Sequence, residues 1–204
     1  MKFLSEAECE QVRDAIMAAE RRTDAELVTV LASRSDSYGY IASLYAAALA
    51  LLTPAVLALT PLWLSGWELL TLQWGLFLLF AVVLRWPPLL MRLVPRHVRH
   101  WRAANMARRQ FLEQNLHHTA GETGVLIFVS AAEHYVEIIA DRGVQGISND
   151  EWQAIIDGFT QRVRKRQVVE GFVECISRCG ELLTERVPVT QPRDELPNHL
   201  VVLR

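Results

Sequence analysis

The stretch "VLIFVSAAEHYVEIIA", residues 125–140, decides the fold because it holds two strand patterns separated by a short turn. Residues 125–130 form a continuous apolar run after Gly124, and such a run is typical of a strand buried on both faces. Residues 134–140 are rich in β-branched and aliphatic side chains, which also favours a strand. Because only a few residues separate the two runs, they are predicted to pair as a β-hairpin.

Helical patterns lie on both sides of this β-hairpin. Ser5 with Glu8, and Ser148 with Glu151, have the spacing of capping boxes and predict helices over residues 4–22 and 148–166. Apolar periodicity predicts the other elements: a strand over residues 26–33, helices over 100–116 and 168–185, and a short last strand over 199–203. The order α, β, α, β, β, α, α predicts an α/β fold in which helices flank both faces of a small sheet.

The most apolar part of the chain interrupts this pattern. Two spans, residues 41–64 and 67–86, contain almost no charge, and a bilayer core of about 30 Å requires roughly 20 apolar residues in a helix. Such a helix tolerates Pro54, and interfacial aromatic anchors are expected at the span ends, where Trp63, Trp67 and Trp86 lie. Residues 40–86 are therefore predicted to form a two-helix transmembrane hairpin. The alternative is a hairpin buried in a soluble core, which the remaining chain is too short to cover.

A run of arginines without acids follows the second span. The turn at residues 65–68 contains no Lys or Arg, so the positive-inside rule keeps both flanks of the hairpin in the cytoplasm. Basic clusters beside a span indicate contact with anionic lipid headgroups rather than with nucleic acid, and no nucleic-acid partner is expected. The predicted lipid contacts, in and beside the juxtamembrane segment 87–99, are Arg85, Arg92, Arg96, Arg99 and Arg102.

The prediction of location follows from these flanks. The N-terminal residues carry acids where a signal peptide would need an apolar core, so no signal peptide is expected. The protein is predicted to be a multi-pass protein of the bacterial inner (cytoplasmic) membrane, with both termini in the cytoplasm.

Acidic residues after strands and at a helix start are the candidate ligands for a metal. Asp36 follows the first strand, Asp141 the third, and Asp150 opens a helix. Ligands favour the carboxyl ends of strands, and a hard divalent cation such as calcium requires several oxygen ligands. The three carboxylates are thus the predicted divalent-cation site. In the alternative reading, Asp141 is a turn former and Asp150 only favours the first turn of its helix.

No recognised catalytic motif is present. The chain has no Ser-His-Asp order, phosphate-binding glycine loop, H-E-x-x-H or C-x-x-C pattern, so no catalytic residue is predicted. Cys175 and Cys179 are four residues apart on a predicted helix, which suits either two core positions or half a metal site. The core reading is preferred because no further Cys or His is nearby.

Three segments resemble the TPM domain family. They are residues 4–32, with an acidic helix start, an "RT" turn and an apolar strand; residues 122–146, with a Gly-led strand, a turn and a second strand; and the pair of C-terminal helices. The chain is most similar to the bacterial membrane-associated subgroup, with the hairpin inserted in the domain. The resemblance implies a TPM-like domain split into residues 1–39 and 100–187, followed by a tail over 188–204.

The family resemblance implies function less sharply than fold. Family members are described as divalent-metal binders, as acid phosphatases, or as factors for assembly of membrane complexes. We therefore expect a membrane-anchored, non-catalytic adaptor or regulatory module at the cytoplasmic face of the inner membrane, with an unidentified membrane protein as partner. A bound divalent cation is compatible with this role. The alternative is a metal-dependent phosphatase or other hydrolase at the membrane surface.

Overall fold

A computed structural model describes residues 4–190 and 200–203. The chain divides into two compact units: the sheet unit, up to Ser35 and from His100 onward, and the hairpin unit, Asp36–Arg99. The elements in chain order are α1 (Glu6–Glu20), β1 (Glu26–Ala32), α2 (Gly39–Leu51), α3 (Thr53–Leu57), α4 (Gly66–Val83), α5 (Pro87–Leu93), α6 (Arg96–Glu113), a 3-10 turn (Leu116–His118), β2 (Gly124–Ser130), β3 (Tyr135–Ala140), α7 (Asn149–Arg164), α8 (Val168–Arg186) and β4 (Leu200–Leu203).

The sheet unit is built on four strands in the order β3-β2-β1-β4. β1 runs parallel to both β2 and β4, whereas β3 returns antiparallel beside β2. Every residue of β1 and of β2 is buried, as the continuous apolar run in residues 125–130 predicts. The predicted α/β class and the β2–β3 hairpin are confirmed.

Helices cover both faces of this sheet. Alternate residues of β1 and β2, Leu27 and Ile127 among them, face a core formed with α1, α7 and α8. The intervening residues, such as Val30 and Phe128, face α6. In the first core the rings of Phe159 and Phe172 meet at 4.9 Å between centroids. The two-sided cover explains why both central strands are buried at every position and mostly apolar.

Cys175 and Cys179 lie in the core between α8 and the sheet, and both are buried. A hydrogen bond with the Cys175 thiol, together with burial, raises the pKa of the Cys179 thiol well above its usual range. A protonated, inaccessible thiol is a poor nucleophile and a poor metal ligand. The core interpretation of this pair is therefore confirmed.

Helix starts follow the predicted capping chemistry. Ser5, Ser65 and Ser148 each accept a hydrogen bond from the backbone of the third helical residue, whose glutamate bonds back to the serine. α6 begins at Arg96 rather than at the predicted residue 100. Pro95 precedes it, and the fixed φ of proline favours a helix start at that point.

The hairpin unit contains four helices. The helical part of its first span is shorter than predicted. Helical structure ends at Leu57 rather than near residue 64, before the turn that contains Pro61. Pro54 lies in the first turn of α3, just after the break at Leu52 that separates α3 from α2. Proline provides no N–H for the preceding turn, so the helix is interrupted here.

Small residues form the contact between α2 and α4. Ala42 and Ala46 of α2 are fully buried against a cluster that includes Ala81. Small side chains at a spacing of four let helix backbones approach closely, a packing mode common in membrane helices. The Arg85 guanidinium donates to the Ser43 hydroxyl at 3.4 Å, which places the end of α4 beside the start of α2. The two helices are therefore antiparallel, and the hairpin enters and leaves at the same end.

Candidate functional site

The outer surface of the hairpin unit is apolar and exposed. By length and composition alone, the helical segments Gly39–Leu57 and Gly66–Val83 are long and apolar enough to cross a membrane. Only 28% of the first window and 6% of the second is buried. Large side chains are exposed all along α4, including Leu70, Trp74 and Leu78. A helix in a soluble core would instead be mostly buried.

The predicted aromatic anchors lie on exposed positions at the ends of the apolar helices. Trp63 is 97% exposed in the turn before α4, Trp67 lies in its first turn, and Trp86 follows its end. An amphipathic indole favours the boundary between the bilayer and water. The three residues thus lie near the two ends of α4, and their role as membrane anchors stays a prediction.

The five predicted lipid-contacting arginines differ in exposure. Arg85, Arg92 and Arg96 are exposed, whereas Arg99 and Arg102 are half-buried. The Arg102 guanidinium stacks over the Trp101 ring at 5.0 Å from its centroid, and Trp101 itself is exposed. Arg85 also donates to the Ser43 hydroxyl, and contact of these arginines with lipid headgroups stays a prediction.

The three aspartates predicted to bind a cation do not form a metal site. β3 runs antiparallel to β2, so its carboxyl end lies at the edge of the sheet where β2 begins. The Asp141 backbone N–H accordingly donates to the Gly124 carbonyl at 2.9 Å. Asp36 follows β1, whose carboxyl end lies at the opposite edge beside Ser130. The expectation that Asp36 and Asp141 converge was therefore wrong, because it placed all carboxyl ends at one edge.

Each of the three aspartates has a local structural role. Asp141 Oδ1 accepts from the Arg142 backbone N–H at 2.8 Å, and Asp150 lies in the acidic first turn of α7. Asp36 belongs to the hairpin unit and accepts from the Tyr38 backbone N–H at 3.4 Å. Across residues 4–190 and 200–203, no group of three or more His, Cys, Asp or Glu could hold a metal ion.

A buried carboxylate at the carboxyl ends of β1 and β2 was not among the predicted site residues. Glu133 is only 2% exposed and lies in the turn between β2 and β3. Its Oε1 accepts from the Ser35 backbone N–H at 3.0 Å, and its Oε2 accepts a short hydrogen bond from the Ser130 hydroxyl. The Ser35 hydroxyl donates to Ser130 Oγ at 2.8 Å. This network fixes the end of β1 to the β2–β3 turn.

The Ser130 hydroxyl is held in this hydrogen-bond network. Ser130 is fully buried and its Oγ bonds to both Glu133 and Ser35, although the residue also borders a cavity beside the turn. The spacing of Ser130 and Glu133 is the S-x-x-E pattern that opens α1, α4 and α7, but here a strand follows instead of a helix. That pattern was the available sequence signal, and only the context of the two strands distinguishes it from a capping box.

A cavity of about 390 Å³ lies beside this turn, between β3, α7 and the start of α8. Its floor and walls are mostly apolar, with Val136, Phe159, Val163 and Val168, although Ser130 and Thr160 also line it. Arg164 at the end of α7 and His134 at the β2–β3 turn lie at its exposed rim. The cavity is therefore mostly apolar inside and basic at its entrance.

Comparison with known proteins supports the fold. The model of the TPM domain matches residues 94–182, which include α6, β2, β3, α7 and most of α8. A solved structure, the NMR structure of the BA42 protein from the psychrophilic bacterium Bizionia argentinensis, is similar with a TM-score of 0.62. The alignment has 18% identity and covers 98% of this chain and 96% of that one, so it bears on the fold alone. A search of curated proteins found no match.

Proposed function

We propose that this chain is a membrane-anchored TPM-domain protein. The hairpin unit spans the bacterial inner membrane, and the sheet unit serves at its cytoplasmic face as a non-catalytic adaptor or regulatory module for another membrane component. The observation that carries the proposal is the exposure of α4, of which only 6% is buried although most of its residues are apolar. This combination fits a lipid environment and the inserted-hairpin subgroup of the family.

The energetic argument rests on the exposed leucines and tryptophans. A Leu that stays in water forgoes roughly 1.5–3 kcal/mol relative to burial, and a lipid environment recovers this energy. Leu78 and Leu79 of α4 and Leu44 of α2 are among the residues that would benefit. Interhelical contact through Ala42 and Ala46 adds close packing, which does not require a hydrophobic driving force between the helices.

The assignment of a non-catalytic role rests on the chemistry of the sheet unit. Among the described residues, no group of three or more His, Cys, Asp or Glu could hold a metal ion, and the hydroxyl–carboxylate pair of Ser130 and Glu133 is buried. The arginine-rich juxtamembrane segment of the chain suits recruitment to an anionic bilayer surface.

Reporter fusions test the topology directly. We expect a reporter inserted at Ser65 to be active only on the periplasmic side, and a reporter fused at Arg204 only on the cytoplasmic side. An insertion at Gly121, in a loop of the sheet unit, is the matched internal control and should agree with Arg204. A cytoplasmic reporter at Ser65 would exclude the two-span hairpin.

Lipid binding by the arginines is measured on the full chain in bilayer discs. Arg92→Gln combined with Arg96→Gln should reduce the number of anionic lipids retained around the protein. Lys165→Gln combined with Arg166→Gln removes the same charge elsewhere and should leave the number unchanged. Equal effects of the two pairs would contradict headgroup contact by the juxtamembrane arginines.

The catalytic alternative is tested by an assay on the same discs. A generic phosphomonoester is incubated with the full chain, with and without calcium or magnesium ions. We expect no turnover above that of empty discs. Metal-dependent hydrolysis that Asp141→Ala abolishes would overturn the non-catalytic assignment.

A further inference from the structure

The cavity beside β3 has the size of a small-molecule site. Its volume of about 390 Å³ lies within the range of roughly 300–1,000 Å³ that ligand pockets occupy. It adjoins the carboxyl end of β2, the side of a parallel strand pair where ligands most often bind in α/β sheets. The cavity belongs entirely to the sheet unit, so its occupant does not depend on whether the hairpin unit spans a membrane.

The interior of the cavity favours an aliphatic group on the ligand. Val136 of β3, Val163 of α7 and Val168 of α8 contribute branched aliphatic walls, and the buried ring of Phe159 closes the floor. No acidic side chain lines the cavity. An apolar group of modest length would gain from leaving water here, and a cation would find no counter-charge.

The basic rim of the cavity favours a negatively charged group on the ligand. In the described part of the chain, neither the Arg164 guanidinium nor the His134 imidazole has a hydrogen bond or ion pair with another residue. The neighbouring Arg162 is different, because its Nε donates to Glu174 at 2.7 Å. Glu174 also pairs with Arg178 at 3.0 Å, so this acid is already engaged with two arginines. Arg164 is thus left available to an acid that arrives from outside.

We propose that this cavity binds a small organic anion with an aliphatic body, of the medium-chain carboxylate class. The alkyl chain lies among Val136, Val163 and Val168. The carboxylate lies at the rim, where Arg164 and the ring N–H of His134 donate to it. No bond is made or broken, and the site adds ligand binding to the proposed adaptor role.

Octanoate is the probe, and the full chain in bilayer discs is the protein. Methyl-labelled valine lets NMR locate binding, with empty discs used to subtract partitioning of octanoate into lipid. We expect saturable shifts at Val136, Val163 and Val168. Val30 faces α6 on the other side of the sheet and should not shift. Absence of saturable shifts at the three cavity valines would overturn the proposal.

Variants separate the apolar body from the charged head. Val163→Trp fills the cavity and should abolish octanoate binding, whereas Gln161→Trp on the exposed side of α7 should not. Arg164→Gln should weaken binding about two- to fivefold, the effect expected for an ion pair at a protein surface. Lys165→Gln is the charge-matched control and should bind as the wild type does.

Octanol completes the test because it has the same alkyl chain as octanoate but no charge. We expect the wild type to bind octanol about two- to fivefold more weakly than it binds octanoate. The Arg164→Gln variant should bind the two ligands equally well. Equal binding of octanol and octanoate to the wild type would overturn the assignment of an anion. Should Val163→Trp not fold, the valine methyl shifts of the wild type with octanoate still decide the location.

Discussion

Gly124 shows how a single position can be fixed by the approach of two backbones. A Cβ at this residue would lie 2.3 Å from the Leu116 carbonyl oxygen, a backbone atom that cannot rotate away. Gly124 opens β2 and pairs with Glu26 at the start of β1. The 3-10 turn before β2 can therefore lie against the strand only because this residue has no side chain.

We predict that Gly124→Ala destabilises the sheet unit by about 1–3 kcal/mol or more, since the clash must displace backbone. Gly158→Ala in α7 is the matched control, because its added Cβ would meet only the end of Arg178 at 3.6 Å. That change should stabilise the helix by roughly 0.5–1 kcal/mol. Urea denaturation of both variants measures the two effects, and a stabilising Gly124→Ala would contradict the geometry.

Glu133 shows how a buried acid can serve structure instead of chemistry. We predict that Glu133→Ala costs about 1–3 kcal/mol of unfolding free energy, because the Ser35 N–H loses its acceptor in a buried site. Glu133→Gln should cost less, since its carbonyl oxygen can still accept that bond. The two variants are compared by urea denaturation, and equal losses would show that hydrogen bonding at Glu133 does not matter.

At the scale of elements, the capping box of α7 makes its stability depend on pH. Hydrogen bonds from the Ser148 backbone N–H and then from its hydroxyl lower the pKa of Glu151 in the folded protein. The folded state thus binds fewer protons than the unfolded state near pH 4. The stabilising contribution is present above the unfolded pKa and is lost as the pH falls through the folded pKa.

We predict that Glu151→Gln reduces this pH dependence. The difference in unfolding free energy between wild type and variant should shrink as the pH is lowered from about 6 to about 3, around the unperturbed glutamate pKa near 4.3. Ser148→Ala should also flatten the profile, because it removes the hydroxyl donor. Denaturation at several pH values measures the profiles, and parallel curves for wild type and Glu151→Gln would disprove the link.

At the scale of the whole molecule, the two units have separate cores. No residue of the hairpin unit is among the described members of the two clusters that cover the sheet. The third cluster lies entirely within the hairpin unit and includes Tyr38, Ala42 and Leu84. Although the hairpin is inserted after β1, both faces of the sheet are therefore covered by helices of the sheet unit itself.

We predict that the sheet unit folds without the hairpin. Replacing residues 36–99 by a flexible Gly-Ser linker should give a protein that is soluble without detergent and retains near-UV circular dichroism. The same excision carrying Gly124→Ala is the control, and its transition should occur at lower urea. An excised protein that lacks cooperative unfolding would show that the sheet unit depends on the hairpin.

The sequence by itself determined the local features of this protein. Apolar runs predicted β2 and β3, S-x-x-E pairs predicted the starts of α1 and α7, and charge depletion located the apolar hairpin. These features depend on neighbours within a few residues, so their spacing can be read along the chain. Helix ends near Pro61 and Pro95 were less predictable, because proline allows both a stop and a start.

Only the tertiary structure decided which distant residues meet. The antiparallel course of β3 placed Asp141 at the edge of the sheet opposite to the end of β1, and so removed the expected cation site. The parallel pairing of β1 with β2 brought Glu133 to Ser35, 98 residues away along the chain. The antiparallel course also set β3 beside α7 and α8 to enclose the cavity. The antiparallel course of β3 follows from the predicted hairpin, whereas the strand order and the parallel pairing of β1 with β2 arise from long-range packing that no local spacing encodes.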